Sequence, residues 1–161
     1  MGTLNIIQID YKNAQQMSDL IELLNAYACD EMGGAEPLSQ ATINDLSQQL
    51  IACPTALSLV AYSDGEPAGL LNAFWSVSTF AAKPLMNIHD LAVKPEFRGQ
   101  RIATALMLEL EVIAKAKGCC KLTLEVLSNN QKAQQTYLRF GFAGYQLNPD
   151  AGHALFWQKK L

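Results

Sequence analysis

The sequence predicts a mixed α/β fold (α+β), a single sheet with helices on both faces, and three observations carry that reading. Apolar residues recur at helical spacing in four segments, branched and aromatic residues alternate or run together in the segments between them, and Pro and Gly punctuate the joins. The order is a strand, two helices, three strands, a helix, a strand, a helix and two strands, which buries one stripe of each helix against the sheet. No repeat, low-complexity segment or domain boundary interrupts it, so residues 1–161 read as one domain.

Thr3 to Asp10 alternates apolar and polar residues as a half-buried strand. Asn13 then caps a helix with Met17, Leu20, Ile21, Leu24 and Tyr27 at helical spacing, and Gly33, Gly34 and Pro37 stop it. A second helix starts near Ser39, carries Ile43, Leu46 and Leu50 on one face, and ends at the Cys53-Pro54 break. Thr55 to Tyr62 and Glu66 to Ser78 read as strands joined by the Ser63-Asp64-Gly65 turn, and another strand runs from about Leu85 to Val93. The helix from about Arg101 to Lys117 turns Ile102, Leu106, Leu110 and Ile113 inward, gains a Glu111 to Lys115 pair and stops at Gly118. Cys119 to Leu127 alternates as a strand, residues 130–139 form a helix, and two last strands surround Phe142 to Leu147 and Ala154 to Trp157.

With 161 residues and 50% hydrophobic side chains, the chain can bury about two-thirds of the surface that its unfolded form exposes. No apolar stretch approaches the ~20 residues of a membrane span and no basic-plus-apolar leader opens the chain, so a cytoplasmic protein without membrane contact is expected. Cys29, Cys53, Cys119 and Cys120 lack CxxC metal spacing; reduced structural thiols are expected and a metal is not. Residues 1–82 hold one cation, Lys12, against nine acids, a net −8, whereas residues 83–161 hold eleven cations against six acids, a net +5. A phosphorylated ligand belongs with the basic half; the acidic half either steers in a cationic ligand or decorates exposed helices. A pI near 5.3 without a continuous basic stripe argues against nucleic acid.

The most informative stretch is Asp90-Leu91-Ala92-Val93-Lys94-Pro95-Glu96-Phe97-Arg98-Gly99-Gln100-Arg101-Ile102-Ala103, in which an apolar strand empties through a short loop into a helix. The first turn of a helix has N–H groups without intrahelical partners and a partial positive charge, so a phosphate placed there is bound by the main chain. Gly99 permits close approach, and Lys94, Arg98 and Arg101 add cationic side chains. A plain strand-to-helix connection has the same composition. What separates the two readings is a second motif about thirty residues on, Asn130-Gln131-Lys132-Ala133-Gln134-Gln135-Thr136-Tyr137-Leu138-Arg139-Phe140-Gly141-Phe142, a helix that ends in Gly before an aromatic.

Together the two stretches resemble the GNAT acetyltransferase superfamily, whose phosphate loop R/Q-x-x-G-x-G/A is followed at this distance by N-x-x-A-x-x-x-Y and G-F. Arg98, Ile102, Ala103, Asn130, Ala133, Tyr137, Gly141 and Phe142 fit, and Arg101 replaces the first Gly of the loop. The resemblance covers roughly residues 55–160 and implies a mostly antiparallel sheet of six to seven strands, with acetyl-CoA as cofactor and CoA as product. In that superfamily the strand before the loop splays from its neighbour, pantetheine aligns along it like an extra strand, and a backbone N–H polarises the thioester carbonyl. The resemblance implies those groups at Leu91, Ala92 and Val93, and a phosphate site at Arg98, Gly99, Gln100, Arg101, Ile102, Ala103 and Thr104. Fixed backbone dipoles of this kind stabilise charge developing on an acyl oxygen.

A left-handed Arg costs about 1 kcal/mol or more over Gly, so the loop is expected to be helical already at Arg101, whose side chain either reaches a phosphate or stays in solvent. Tyr137 lies two helical turns beyond Asn130 on nearly the same face. By resemblance Tyr137 is the general acid for the departing thiolate and Asn130 bonds the cofactor; for Tyr137 the alternative is packing on Phe140 and Phe142. An alkylammonium with a pKa of about 10.4 must lose a proton before it attacks. Glu125 is placed like the base of ribosomal-protein N-terminal acetyltransferases, while His89 and Asp90 stand where polyamine acetyltransferases carry acidic residues. Next to Phe74, Trp75 and Phe80 on the preceding hairpin, either acid is placed to line a site for a cation.

The function expected is direct acetyl transfer to a primary amine, small and cationic, such as a diamine, polyamine or amino compound, with a homodimer as a compatible assembly. The alternatives are acetylation of a protein N-terminus or lysine, and a non-catalytic acyl-CoA-binding module, against which Tyr137 argues. A ping-pong cysteine has no support, because no His is suggested beside Cys119 or Cys120.

Overall fold

The computed structural model describes residues 2–146, 148, 150, 152 and 154–161. Two compact units emerge, residues 1–124 and residues 125–161. The first is organised by a five-stranded sheet in the order β1 (Leu4–Gln8), β2 (Ala56–Ser63), β3 (Glu66–Ser78), β4 (Lys83–Val93) and β5 (Leu122–Leu124). Neighbours are antiparallel except β4 and β5, which run parallel. The helix α3 (Ile102–Ala116) supplies the crossover that a parallel pair requires.

Asn13 caps α1 (Ala14–Ala28) with its side-chain oxygen, as the sequence predicts, and Ser39, where the second helix was expected to start, caps α2 (Gln40–Ala52) in the same way. Alternation assigns the sheet faces. Val60 and Leu70 meet across β2 and β3 and pack with Ile9, Met17, Leu20, Leu23 and Leu50, which closes the core under α1 and α2. Residues of the other parity face α3, whose Ile102, Leu106, Met107 and Leu110 are buried. Gly69 on β3 is what seats that helix: a Cβ there would lie 3.2 Å from Cγ2 of Ile102 and 2.9 Å from the Ala92 carbonyl oxygen.

In the second unit α4 (Gln131–Phe140) begins at Asn130 and ends at Gly141, left-handed at φ 109°. The two expected last strands do not form among the described residues. Gln146 makes only an isolated bridge, residues 154–161 have no regular structure, and Leu147 lies outside the described residues. Tyr145, Leu155, Phe156 and Trp157 are exposed, and without a buried face nothing fixes a register. The sheet therefore has five strands where six to seven were expected. The strand expected over 119–127 also shortens, because Cys119 N–H still donates to Ala114 O in the closing turn of α3 and the ladder ends at Leu124. All four cysteines are free, and among the described residues no helix is long and apolar enough to cross a membrane.

Candidate active site

The β4–β5 ladder covers only Met86, Asn87 and Ile88 against Leu122, Thr123 and Leu124. From His89 to Val93, β4 continues with β3 as its single partner strand among the described residues. Lys94 N–H donates to Ala68 O at 2.9 Å, so alternation turns the main-chain groups of Ala92 toward β3 and those of Leu91 and Val93 away from it. The Val93 carbonyl confirms the sense, since it accepts from Arg98 Nε at 3.0 Å. Leu91 and Val93 thus face an open strand edge, to which an extended ligand can add by main-chain hydrogen bonds. Ala92 lies between them, with its own N–H and C=O directed at β3.

The edge leads through a 3-10 turn at Pro95–Phe97 to Gly99 at φ 81° and Arg101 at φ 62°. Residue 101 is therefore left-handed and not yet helical, contrary to expectation. The chain has to turn sharply between β4 and α3, and the left-handed residues on either side of Gln100 make that turn at a cost of about 1–2 kcal/mol for the Arg. Arg101 stands at the N-cap of α3 and its side chain makes no capping bond, whereas Asn13, Ser39 and Asn130 each cap their own helix. The N–H groups of Ile102, Ala103 and Thr104 in that first turn are left for a ligand, aided by the helix dipole.

Two of the three cations around this loop are engaged with acids from the α1 region. Lys94 Nζ pairs with Glu22, and Arg98 Nη2 donates to Asp30 Oδ2 at 2.9 Å. Among the described residues Arg101 has no ion pair, and its side chain is exposed. Arg98, joined by the Met32 N–H, holds the Asp30 carboxyl below the usual carboxylate range. The acidic N-terminal half is thus not a separate wall of charge, since part of it neutralises the basic loop.

His89 is the extra residue of a bulge where β4 passes Asn72 and Ala73; it is exposed, with its ring 4.6 Å from that of Phe74 and tilted by 55°. Asp90 is half-buried and accepts from Asn72 Nδ2 at 2.9 Å. Burial pushes the Tyr27 phenol of α1 up, and the carboxylates of Asp90 and Asp30 push it further. The three aromatics of the hairpin do not share a face: Phe74 lies on the α1 face, Trp75 on the opposite face with Lys117 Nζ 4.6 Å from its ring centre, and Phe80 is 99% exposed.

Glu125, Asn130 and Tyr137 belong to the second unit. Asn130 Oδ1 accepts from Ala133 N–H at 3.2 Å, so capping occupies the oxygen, while among the described residues its Nδ2 donor has no partner. The half-buried Tyr137 meets Phe142 edge-on at 5.9 Å, and Phe142 in turn stacks on Phe140. Among the described residues no three His, Cys, Asp or Glu converge as a metal site would need. Three residues escaped the sequence reading: Asp30, Gly69 and Asn72. Only Asn72 carried a signal, as a polar residue inside the apolar run of β3.

An open strand edge runs into an uncapped helix N-terminus, and the main-chain groups that this leaves suit an extended, anionic ligand. The acetyltransferase (GNAT) family profile matches residues 20–142, and the chain belongs to that family. It is 34% identical over 100 residues, 62% of each chain, to a protein of Bacillus subtilis (strain 168) named as a candidate ribosomal protein bS18-alanine N-acetyltransferase. It is 35% identical over 82 residues, 48% of each chain, to the thialysine N-epsilon-acetyltransferase of Bos taurus. The aligned region spans about half to three-fifths of the length of these curated relatives. Among solved structures, an aminoglycoside acetyltransferase from an uncultured soil metagenomic sample, in complex with sisomicin, shares the fold with a TM-score of 0.78 at 19% identity, over 98% of this chain and 97% of that one.

Proposed function

We propose that the protein transfers the acetyl group of acetyl-CoA directly to a primary amine, and that the acceptor is small and cationic. The observation that carries this reading is the continuity of the open β4 edge with the uncapped start of α3. The donor set suits the ligand: Leu91 and Val93 offer main-chain groups to an amide-bearing arm, and Gln100, Ile102, Ala103 and Thr104 offer N–H groups to a pyrophosphate, with Gly99 allowing approach. Bound acetyl-CoA supplies the acetyl group as an activated thioester.

The chain's own residues have separable tasks in this scheme. Leu91 and Val93 hold their N–H groups in place through the β3 ladder, so they can meet negative charge on an acyl oxygen without reorganising. Arg98 fastens the end of that edge through the Val93 carbonyl. Arg101 is the cation available to a phosphate. Tyr137 carries the proton suited to a departing thiolate, Glu125 and His89 are the groups suited to take one from the amine, and Asp90 is suited either to that or to facing a cationic end of the acceptor.

Support for a cationic acceptor comes from the acids beside the site and from the thialysine and aminoglycoside activities named for two similar proteins. A second reading, acetylation of a protein N-terminus with Glu125 as base, draws on the likeness to the Bacillus subtilis protein. A CoA-release assay with diamines, aminoglycosides, amino acids and an Ala-starting peptide decides between them. Preference for the diamines or aminoglycosides is expected; preference for the peptide selects the second reading, and no turnover with any amine sinks both.

A further inference from the structure

One hydrogen-bonded row of side chains crosses the sheet beneath α1. Ser58 on β2, Asn72 on β3 and Asp90 on β4 are successive cross-strand neighbours, and Tyr11, between β1 and α1, extends the row at its far end. Ser58 Oγ donates to Asn72 Oδ1 at 2.6 Å, Asn72 Nδ2 donates to Asp90 Oδ2 at 2.9 Å, and the Tyr11 hydroxyl lies 3.0 Å from Ser58 Oγ. A serine hydroxyl has one proton to give. Ser58 gives its proton to Asn72, so Tyr11 must be the donor to Ser58. The Asn72 amide is thereby fixed, oxygen toward the serine and NH2 toward the carboxylate, and all three bonds point their donors at Asp90.

Ser58 and Asn72 are only 1% and 6% exposed, on the strand face that otherwise carries Val60 and Leu70. Buried polar groups gain little over apolar packing and are costly when unpaired, so a row of them calls for a use at its end. That end is half-buried Asp90, next to the bulged His89, where β4 has left β5. The row cannot conduct a proton away, because the Asn72 amide neither takes nor releases one at neutral pH. Its effect is orientation, strengthened by the head-to-tail alignment of its dipoles.

Resting on the acetyl-transfer reading, we propose that Asn72, Ser58 and Tyr11 are positioning residues: they tie Oδ2 of Asp90 and hold the carboxylate in one orientation, leaving Oδ1 to receive the ammonium of a cationic acceptor. Asp90 then anchors charge and sets specificity, and the row sharpens it from a distance.

The test compares kcat/KM for propane-1,3-diamine with that for hydroxylamine, which is uncharged at neutral pH. Tyr11→Phe and Ser58→Ala should each raise the KM for the diamine by about 5-fold, the worth of one hydrogen bond, with kcat and the KM for acetyl-CoA nearly unchanged. The diamine-to-hydroxylamine ratio should fall accordingly. Ser58→Thr keeps the hydroxyl and should restore the ratio. Asp90→Asn should lower the ratio most, and Ser58→Ala added to Asp90→Asn should lower it no further. An unchanged ratio in Tyr11→Phe and Ser58→Ala, whatever their melting temperatures, overturns the proposal while leaving acetyl transfer intact. Should the wild type turn over no amine, the acetyl-transfer reading fails, and calorimetry with propane-1,3-diamine decides the row separately: weaker binding to Asp90→Asn and Tyr11→Phe supports it, and equal or absent binding to all three proteins overturns it.

Discussion

The Arg98 guanidinium donates to the Asp30 carboxylate at 2.9 Å across 68 residues of sequence. Its Nε meanwhile donates to the Val93 carbonyl at 3.0 Å, so one planar fork joins the end of α1, the end of β4 and the loop. A lysine has no second nitrogen with which to span the two acceptors as Nε and Nη2 do.

Acid should undo this joint. The Asp30 carboxyl titrates below its ordinary value of 3.8, chiefly because Arg98 bonds to it, so its contribution to stability is complete above that value and is lost as the pH falls through the lower folded-state value. Asp30→Asn should cost about 0.5–1 kcal/mol at pH 7, as expected for a largely exposed pair. Thermal melts of both proteins should converge as the pH drops below about 4. A constant gap down to pH 2 would show that the pair is not what titrates.

Residue 101 separates backbone from side chain at the phosphate loop. Arg101→Gly relieves a left-handed Arg but loosens the unfolded chain, and the two effects leave a net gain of about 0.5 kcal/mol. CoA affinity should nonetheless drop, by about 5- to 10-fold, if the guanidinium meets a phosphate. Gly99→Val has open space for its side chain and a backbone at φ 81° that resists it, so it should weaken CoA binding through the loop alone. Melting-temperature shifts with CoA, which follow mass action, read both variants. A wild type whose melting temperature ignores CoA would refute the loop assignment.

Gly69 links the fold to the site. An alanine there places Cβ 2.9 Å from the Ala92 carbonyl oxygen and crowds Ile102, so β4 or the start of α3 must shift. Gly69→Ala should lower stability by about 1–3 kcal/mol, the usual cost of overpacking, and weaken CoA binding beyond that of a loop-distant variant of equal stability. Paired denaturation and CoA titration provide the comparison, and CoA affinity no weaker than in that variant would confine Gly69 to packing.

Tyr137→Phe keeps the edge-on contact with Phe142 and deletes only the hydroxyl. Turnover should fall by about 100-fold, the low end for a general acid, with melting temperature and CoA affinity nearly constant. Glu125→Gln and His89→Ala belong in the same assay, where the variant that loses the base should fall further at lower pH. Wild-type turnover in Tyr137→Phe would make the residue a packing tyrosine.

Elements whose signals are local were legible in the sequence. Asn13 and Ser39 announced their helices, and Asp64 and Gly65, both at positive φ, form the turn that Ser63-Asp64-Gly65 suggested. Misreadings arose where tertiary geometry overrode a local rule. Arg101 accepts a strained φ because the path from β4 to α3 demands it, and Leu155, Phe156 and Trp157 have strand-like composition without a buried face to pin them. Pairings such as Arg98 with Asp30, or Ser58 with Asn72, depend on register between distant segments, which no single stretch encodes. The loop and the α4 helix were legible as elements because their local signals, Gly99 before α3 and Asn130 with Gly141 around α4, each lie within a dozen residues. Asp30 and Gly69 were not, because their roles exist only after the sheet and helices meet.

The charge division bears on how an acceptor reaches the site. Glu22 and Asp30 are engaged by Lys94 and Arg98, so steering of a cationic acceptor falls to exposed acids such as Glu31 and Glu36 and to half-buried Asp90. Long-range attraction weakens as the Debye length shrinks from about 10 Å at 0.1 M salt to about 3 Å at 1 M. The kcat/KM for a diamine should therefore fall with ionic strength more steeply than that for hydroxylamine. Glu31→Gln with Glu36→Gln should raise the KM for the diamine and leave kcat nearly intact, the pattern of lost uniform binding, and should flatten the salt dependence. Glu22→Gln removes one negative charge and leaves Lys94 uncompensated, so it should also flatten that slope, by about half the effect of the Glu31 and Glu36 double change. Equal salt slopes for charged and uncharged acceptors, or a better rate with acidic amino acids, would reduce the acidic half to surface decoration and remove the cationic acceptor class.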